Sequence, residues 1–198
     1  MEKYKLTNID GRKISVKQDV FTWSNLISAT RIAVPIPIIW LHIQNNYQVG
    51  PFIIALILYA IFSDYLDGYV ARKWDEVSEL GKVLDPVADK VMAFALFGYT
   101  VWLGLIPVWY FVLAAVRDSM IMAGSAYIKR IRGKVAMAVM SGKVSVNVMA
   151  LYWVSVFFFP QATEAHLFLK YSSVILMVIS FFHYFHRFNQ IRSGVDFN

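Results

Sequence analysis

Cysteine is absent from the 198-residue sequence, which also contains only 6 prolines and 4 histidines. The absence of cysteine excludes a disulfide framework and a thiolate metal site. Charge is also scarce, because Asp, Glu, Lys and Arg make up 16% of the residues, against about 25% in soluble domains. Hydrophobic residues make up 58%. This composition excludes an ordinary soluble domain and predicts an integral membrane protein with one domain.

Apolar stretches of membrane-spanning length, about 20 residues each, follow one another along most of the chain. The sequence therefore predicts an all-α fold with six transmembrane helices. Pro35 and Pro37 should bend the first helix. Such a bend is tolerated in a membrane when neighbouring helices hydrogen-bond the backbone carbonyls that lose their partners. The six helices are expected at 24–44, 51–72, 81–104, 106–129, 137–159 and 166–187.

Lys and Arg are distributed unevenly between the predicted connections. The connections near 45–50, 104–106 and 160–165 contain neither residue, whereas both termini and the other connections contain several. Because Lys and Arg are retained on the cytoplasmic side, both termini are predicted to be cytoplasmic. The formal net charge of +6 therefore favours a membrane surface as partner and not a nucleic acid.

The N-terminal stretch, residues 1–20, is basic and has no apolar core, so we expect it not to be a signal peptide. It is predicted to be a juxtamembrane segment on anionic lipid, with a turn at Asp10-Gly11. A frayed basic tail is the alternative. Residues 21–198 are then expected to form the six-helix domain.

Aspartates stand inside two of the predicted spans, where an unpaired carboxylate costs several kcal/mol and implies both a compensating cation and a function. Residues three and four apart share one face of a helix. The second span therefore presents one stripe of carboxylates, the third span presents another, and a short connection lets the two stripes face each other. The four residues are Asp64, Asp67, Asp85 and Asp89.

The aspartate run supplies oxygen ligands and no histidine or cysteine, which suits Mg²⁺ or Mn²⁺. Two ions are plausible for four carboxylates, and such pairs stabilise the entering and leaving oxygens of a displacement at phosphorus. Gly68, Ala71 and Gly81 would let a flat ligand approach the backbone. Arg72 offers a planar fork suited to phosphate. Together these residues indicate a pocket for a nucleotide diphosphate at the cytoplasmic face.

The same run reads D-x2-D-G-x2-A-R-x8-G-x3-D-x3-D from Asp64 to Asp89 without a departure. It resembles the signature of the CDP-alcohol phosphotransferase family, as do the chain length and the number of spans. The resemblance implies a homodimeric membrane enzyme of phospholipid synthesis. Such an enzyme transfers a phosphatidyl group from CDP-diacylglycerol to an alcohol and releases CMP.

The resemblance also implies roles for individual residues. The four aspartates would hold the metal ions, and Asp89 would be the base that takes the proton of the acceptor hydroxyl. Gly68, Ala71, Arg72 and Gly81 would hold the cytidine diphosphate part. The start of the first span, Ser24-Asn25-Leu26-Ile27-Ser28-Ala29-Thr30-Arg31, is similar to the family's Pro-Asn-x-x-Thr-x-x-Arg. Asn25 and Arg31 are therefore expected to touch the nucleotide or the motif helices, although Asn25 is equally suited to cap the helix.

The acceptor is expected to lie near three further intramembrane cations, Arg117, Lys143 and Lys90. A partnership of Arg117 with Asp118, or snorkelling to the interface, is the structural alternative. Within the family the chain is most similar to the phosphatidylglycerophosphate synthase and eukaryotic-type cardiolipin synthase branches. Glycerol 3-phosphate is therefore the first expected acceptor, and phosphatidylglycerol is the second.

Other classes of membrane protein fit the aspartates less well. An ion transporter would spread its acids along a path or in repeated halves, whereas here they are bunched. An intramembrane prenyltransferase also binds magnesium diphosphate through aspartate pairs, but it commonly has another acid at the position of Ala71. A non-catalytic scaffold leaves the four acids without a reason.

Overall fold

The computed structural model describes the backbone of residues 4–7, 13–16, 23–73, 81–132 and 139–193. These residues form two compact units, 1–99 and 100–198. They contain seven helices and a two-stranded hairpin. The elements are β1 (Tyr4–Thr7), β2 (Lys13–Val16), α1 (Trp23–Ala33), α2 (Pro35–Gln44), α3 (Pro51–Lys73), α4 (Gly81–Trp102), α5 (Val108–Arg132), α6 (Met140–Phe158) and α7 (Thr163–Arg192).

The predicted helical architecture is confirmed from residue 23 onward. Within the described residues, four helical stretches are long and apolar enough to cross a membrane. Helix α3 is apolar only over Pro51–Ser63, and it shares with α4 the aspartate run. Charge thus separates these two helices from the other predicted spans. The four apolar stretches are Asn25–Gln44, Val108–Ile128, Met140–Phe158 and Thr163–Ile191.

The first predicted span is interrupted at Val34, between α1 and α2. Pro35 follows directly and has no N–H to donate, so helix α2 starts there with proline in its first turn. The backbone of Val34 keeps helical angles (φ −54°, ψ −38°), and its N–H donates to the carbonyl of Thr30 at 3.1 Å. The break therefore lies where the two prolines predicted a bend.

Helix α4 ends in a turn at Gly104, whose φ is +74°. Its N–H donates to the carbonyl of Val101 at 2.9 Å, and the N–H of Leu105 donates to that of Thr100 at 3.0 Å. This pair of bonds is the Schellman motif, which requires a left-handed residue and so favours glycine. Pro107 follows and precedes the first residue of α5. The connection between the two helices has five residues, 103–107.

The N-terminal segment contains a hairpin that the sequence did not predict. Strands β1 and β2 pair antiparallel, with Tyr4 opposite Val16 and Leu6 opposite Ile14. Apolar positions therefore alternate with polar ones along both strands, and the register places the apolar ones on one face. The pairing is symmetric about position 10, and the predicted Asp10-Gly11 turn lies in the connecting residues, outside those the structure describes.

Candidate active site

The two motif helices carry the aspartates at the predicted helical spacings. Asp64 and Asp67 lie on α3, and Asp85 and Asp89 lie on α4. Since both segments are helical, each pair shares a face of its helix. Of the four carboxylates, the structure describes the side chain of Asp89. The grouping of all four around metal ions stays a prediction.

The predicted cytidine diphosphate residues lie on the same two helices. Gly68, Ala71 and Arg72 occupy the last two turns of α3, and Gly81 is the first residue of α4. Their side-chain surroundings lie outside what the structure describes. The backbone places them at the ends of α3 and α4 that adjoin the 74–80 connection, next to the aspartates.

Asp89 is held by a buried arginine. The Nη1 of Arg31 on α1 donates to the Oδ1 of Asp89 at 2.8 Å. The side chain of Arg31 is fully buried, whereas that of Asp89 is 47% exposed. A cation removed from water requires anionic or polar partners, and Asp89 is one. Of the two contacts expected for Arg31, the structure shows the one with a motif helix.

The residue before Arg31 joins α1 to the other motif helix. The hydroxyls of Thr30 and Tyr59 share a hydrogen bond of 2.7 Å. Because the Thr30 hydroxyl donates to the carbonyl of Ile27 at 2.6 Å, its oxygen accepts from Tyr59. Thr30 and Arg31 thus tie α1 to α3 and to α4. Asn25, the other predicted ligand on α1, is buried at 5% exposure.

In the second unit, the predicted acceptor residue Arg117 is buried at 6% exposure. Its Nη1 donates to Asp118 at 2.7 Å, and its Nη2 donates to the Ser180 hydroxyl on α7 at 2.7 Å. Its Nε is buried without a hydrogen-bond partner among the described residues. The partnership with Asp118, the structural alternative of the sequence analysis, is therefore present, and Ser180 adds a contact that the sequence did not identify.

A second polar contact repeats this arrangement one heptad earlier. The hydroxyls of Tyr110 on α5 and Ser173 on α7 are 2.8 Å apart. Ser173 and Ser180 each donate to a carbonyl three residues back, at 2.7 and 2.9 Å, so each oxygen accepts from α5. Both pairs are 63 positions apart in sequence. Helices α5 and α7 therefore run parallel in a fixed register.

The other predicted acceptor residues, Lys90 on α4 and Lys143 on α6, are exposed. Lys143 follows the buried Gly142, against which the ring of Tyr184 on α7 packs. A Cβ at Gly142 would lie 2.8 Å from the Cε2 and hydroxyl of Tyr184. The same hydroxyl accepts the N–H of Val139 at 3.3 Å, immediately before α6. Glycine fits here because the aromatic ring occupies the space of a side chain, so a larger residue would have to displace Tyr184.

The candidate metal ligands are the four aspartates of the motif, which lie on α3 and α4. Four carboxylates on two consecutive helices form an all-oxygen donor set, which suits a hard divalent cation. Among the side chains that the structure describes, no group of three or more His, Asp or Glu could hold a metal ion. Three of the four predicted ligands, Asp64, Asp67 and Asp85, are outside that set. The donor set fits Mg²⁺ or Mn²⁺.

Comparison with known proteins gives two kinds of relative. Cardiolipin synthase (CMP-forming) of Streptomyces coelicolor is 30% identical over 115 residues, 56% of this chain and 53% of that protein. The human protein of that name is 33% identical over 58% of this chain and 38% of its own length. CDP-diacylglycerol–glycerol-3-phosphate 3-phosphatidyltransferase of Aquifex aeolicus is 35% identical over 54% of this chain and 60% of its own.

The matched stretches thus span between 38% and 60% of the length of these relatives. The model of the CDP-alcohol phosphatidyltransferase family covers much more of this chain, residues 21–185. That range contains both motif helices and all the candidate site residues named above. The expected family is confirmed: the chain belongs to the CDP-alcohol phosphatidyltransferases.

Proposed function

We propose that this chain transfers the phosphatidyl group of CDP-diacylglycerol to an alcohol and releases CMP. The observation that carries the proposal is the complete motif on two consecutive helices, α3 and α4, with Asp89 at hydrogen-bond distance from a buried arginine. The names of the relatives support it, since one kind forms CMP and the other acts on CDP-diacylglycerol.

Two divalent ions, Mg²⁺ or Mn²⁺, are the proposed cofactors. Divalent metal ions are general in this family, and the all-oxygen donor set suits them. When bound, such ions neutralise phosphate charge and stabilise the oxygens that enter and leave at phosphorus. Their proposed ligands are Asp64, Asp67, Asp85 and Asp89.

The residues of the chain would bind the donor and move one proton. Gly68, Ala71 and Gly81 would let the cytidine diphosphate approach the backbone, while Arg72 would bind its phosphate. Asp89, held by Arg31, would take the proton of the acceptor hydroxyl. The oxygen would then bond to the phosphorus that carries diacylglycerol, the bond from that phosphorus to the CMP oxygen would break, and CMP would leave. Asn25, on α1, would contact the nucleotide or the motif helices.

The proposed acceptor is a phosphate-bearing alcohol, bound by Arg117, Lys143 and Lys90. Glycerol 3-phosphate and phosphatidylglycerol both have this chemistry. The two kinds of relative support one acceptor each, because one is named for glycerol 3-phosphate and the other for cardiolipin. Arg117, buried beside Asp118 and Ser180, would orient the acceptor region, and Lys143 would supply an exposed cation.

We further propose that all six predicted spans cross the membrane, with both termini and the aspartates on the cytoplasmic side. The lack of Lys and Arg in three alternate connections supports this orientation. The proposed juxtamembrane segment, residues 1–20, would rest on anionic lipid, and its hairpin supplies an apolar face for that contact. A homodimer is proposed from the family resemblance.

The function is tested by release of CMP from CDP-diacylglycerol, with Mg²⁺ or Mn²⁺ and with either acceptor present. Asp85→Ala and Asp89→Asn should each lower turnover by about 100-fold or more, because one removes a metal ligand and the other removes the base. Binding of CDP-diacylglycerol should stay measurable in Asp89→Asn.

Asp75→Asn is the matched control, since Asp75 belongs to the connection and not to the motif. It should keep normal turnover. Near-normal turnover in Asp89→Asn would contradict the base assignment. Turnover of a prenyl diphosphate, or ion flux, in place of CMP release would overturn the function.

A further inference from the structure

A partly open groove of about 240 Å³ lies between the C-terminal halves of α5 and α7. On α5 it extends from Met120 to Ile128, about 12 Å along the helix axis. Nearly all its lining is apolar, and one cation, Arg187, is part of it. The lining residues are Met120, Ile121, Gly124, Ser125, Ile128, Phe181, Tyr184, Phe185, Arg187, Phe188 and Ile191.

The groove follows from the packing of the two helices. The Arg117 contact with Ser180 fixes their register directly before the groove begins. In the next two turns Gly124 presents no side chain, and even a Cβ there would stay 3.7 Å from Phe188. Because the preceding contact holds the helices together while glycine leaves space between them, the groove is a built feature of this register.

The chemistry of the lining selects its occupant. A nucleotide or a sugar phosphate would leave many polar groups without partners against this apolar wall. The groove is also smaller than the 300–1,000 Å³ or so of usual small-molecule sites, which suits a single narrow hydrocarbon chain. Arg187, one turn before the last lining residue of α7, adds a fork for an anion. An acyl chain attached to a phosphate matches both features.

The groove is joined to the predicted acceptor motif through Tyr184. This residue lines the groove, and its ring also occupies the space above Gly142. Its hydroxyl accepts the N–H of Val139 at 3.3 Å, so the ring is fixed to the start of α6. Lys143 directly follows Gly142 in the sequence. A ligand in the groove therefore contacts Tyr184, the side chain that packs on Gly142.

We propose that the α5–α7 groove binds an acyl chain of the acceptor, which is then an anionic phospholipid with a headgroup hydroxyl, such as phosphatidylglycerol. Its phosphate lies at Arg187, one turn before Ile191, the last lining residue of α7, and the lipid enters from the cytoplasmic leaflet. The inference rests on the proposed function and narrows it. Glycerol 3-phosphate has no acyl chain and gains nothing from this groove.

The first test locates the acyl chain of the bound lipid without requiring catalysis. The full-length protein in nanodiscs is irradiated with phosphatidylglycerol that carries a photoreactive acyl chain, and crosslinked peptides are mapped by mass spectrometry. Crosslinks should concentrate in 120–128 and 181–191, and phosphatidylcholine with the same chain should give several-fold fewer there. Equal labelling by both lipids, or labelling spread over every lipid-facing helix, would overturn the proposal.

The second test blocks the groove. Ser125→Trp places a large ring among the lining residues, and Ser119→Trp makes the same change at an exposed position of α5 outside the groove. The KM for phosphatidylglycerol should rise about tenfold or more in Ser125→Trp, the change that about 1.4 kcal/mol of lost chain contact produces. The KM for CDP-diacylglycerol should not change, and Ser119→Trp should match the wild type.

The outcomes separate the inference from the proposed function. Three results would overturn the groove assignment and leave the transferase function standing. They are CMP release with glycerol 3-phosphate but not with phosphatidylglycerol, an unchanged KM for phosphatidylglycerol in Ser125→Trp, and a KM in that variant that rises for CDP-diacylglycerol and not for phosphatidylglycerol. No CMP release with any acceptor would overturn the transferase function. The groove would then be judged by the crosslinks alone, which must disappear in Ser125→Trp and persist in Ser119→Trp.

Discussion

Arg31 shows how much of the candidate site depends on one buried side chain. It is fully buried, and Asp89, the proposed base, accepts its hydrogen bond at 2.8 Å. The family resemblance left open whether Arg31 binds the nucleotide or a motif helix. Contact with Asp89 supports a positioning role for Arg31, which would then act through the carboxylate. A partner of this kind typically contributes 10–100-fold or so to activity or metal affinity.

Arg31→Lys is therefore expected to lower kcat by about 10–100-fold, because one amine cannot reproduce the planar fork. The apparent Mn²⁺ requirement should rise, while the KM for CDP-diacylglycerol stays close to the wild-type value. Steady-state kinetics over a Mn²⁺ series measure all three quantities, with Arg132→Lys at the end of α5 as the control. A raised KM with unchanged kcat would instead make Arg31 a nucleotide ligand.

At the scale of helices, α5 and α7 are joined by two hydrogen bonds one heptad apart. Buried polar pairs of this kind contribute about 0.6 to 1.7 kcal/mol in membranes, and a charged donor lies towards the upper end. Ser180→Ala removes the acceptor of Arg117 and should lower the free energy of unfolding by about 1 to 2 kcal/mol. The measurement is reversible unfolding in bicelles.

Ser119→Ala provides the comparison for that experiment, since Ser119 is an exposed serine on α5. It should change the unfolding free energy by less than about 0.5 kcal/mol. In Arg117→Met, the added change Ser180→Ala should have little further effect, because the two residues interact directly. Full additivity of the two substitutions would show that the hydrogen bond does not stabilise the pair of helices.

The positions of the helices could be predicted from the sequence, whereas most contacts between the helices could not. Apolar length located every helix from α1 to α7, and two prolines located the break at Val34. The sequence offered the pairing of Arg117 with its neighbour Asp118 as the structural alternative to acceptor binding, and the structure contains that pairing. The sequence did not identify Ser180, 63 positions away, because helical periodicity gives the face of a helix and not its register against another. The contact of Arg31 with Asp89, 58 positions apart, could be named only as one of two options.

The hairpin at the N-terminus was missed for a related reason. Its two strands have four residues each, and alternation over so few positions is weak against the basic composition of the segment. The pairing is symmetric about position 10, and the Asp10-Gly11 turn, outside the described residues, stays a prediction. At the scale of the molecule, the segment predicted as a juxtamembrane stretch on anionic lipid contains a ribbon with an apolar face.

The number of spans is decided by the connection between α3 and α4. Whether or not these two helices cross the membrane, the connections at 45–50 and 103–107 lie on the same side, so probes there cannot distinguish six spans from four. A probe in the 74–80 connection can distinguish them, because this connection is cytoplasmic only if both helices cross.

Since the chain has no cysteine, a single introduced cysteine is a unique label. With six spans, Ser78→Cys should react with a membrane-impermeant maleimide only after the cells are permeabilised, whereas Gln48→Cys should react in intact cells. Labelling of both variants in intact cells would leave the aspartate run outside the membrane and on the wrong side for an enzyme supplied with a cytoplasmic nucleotide lipid.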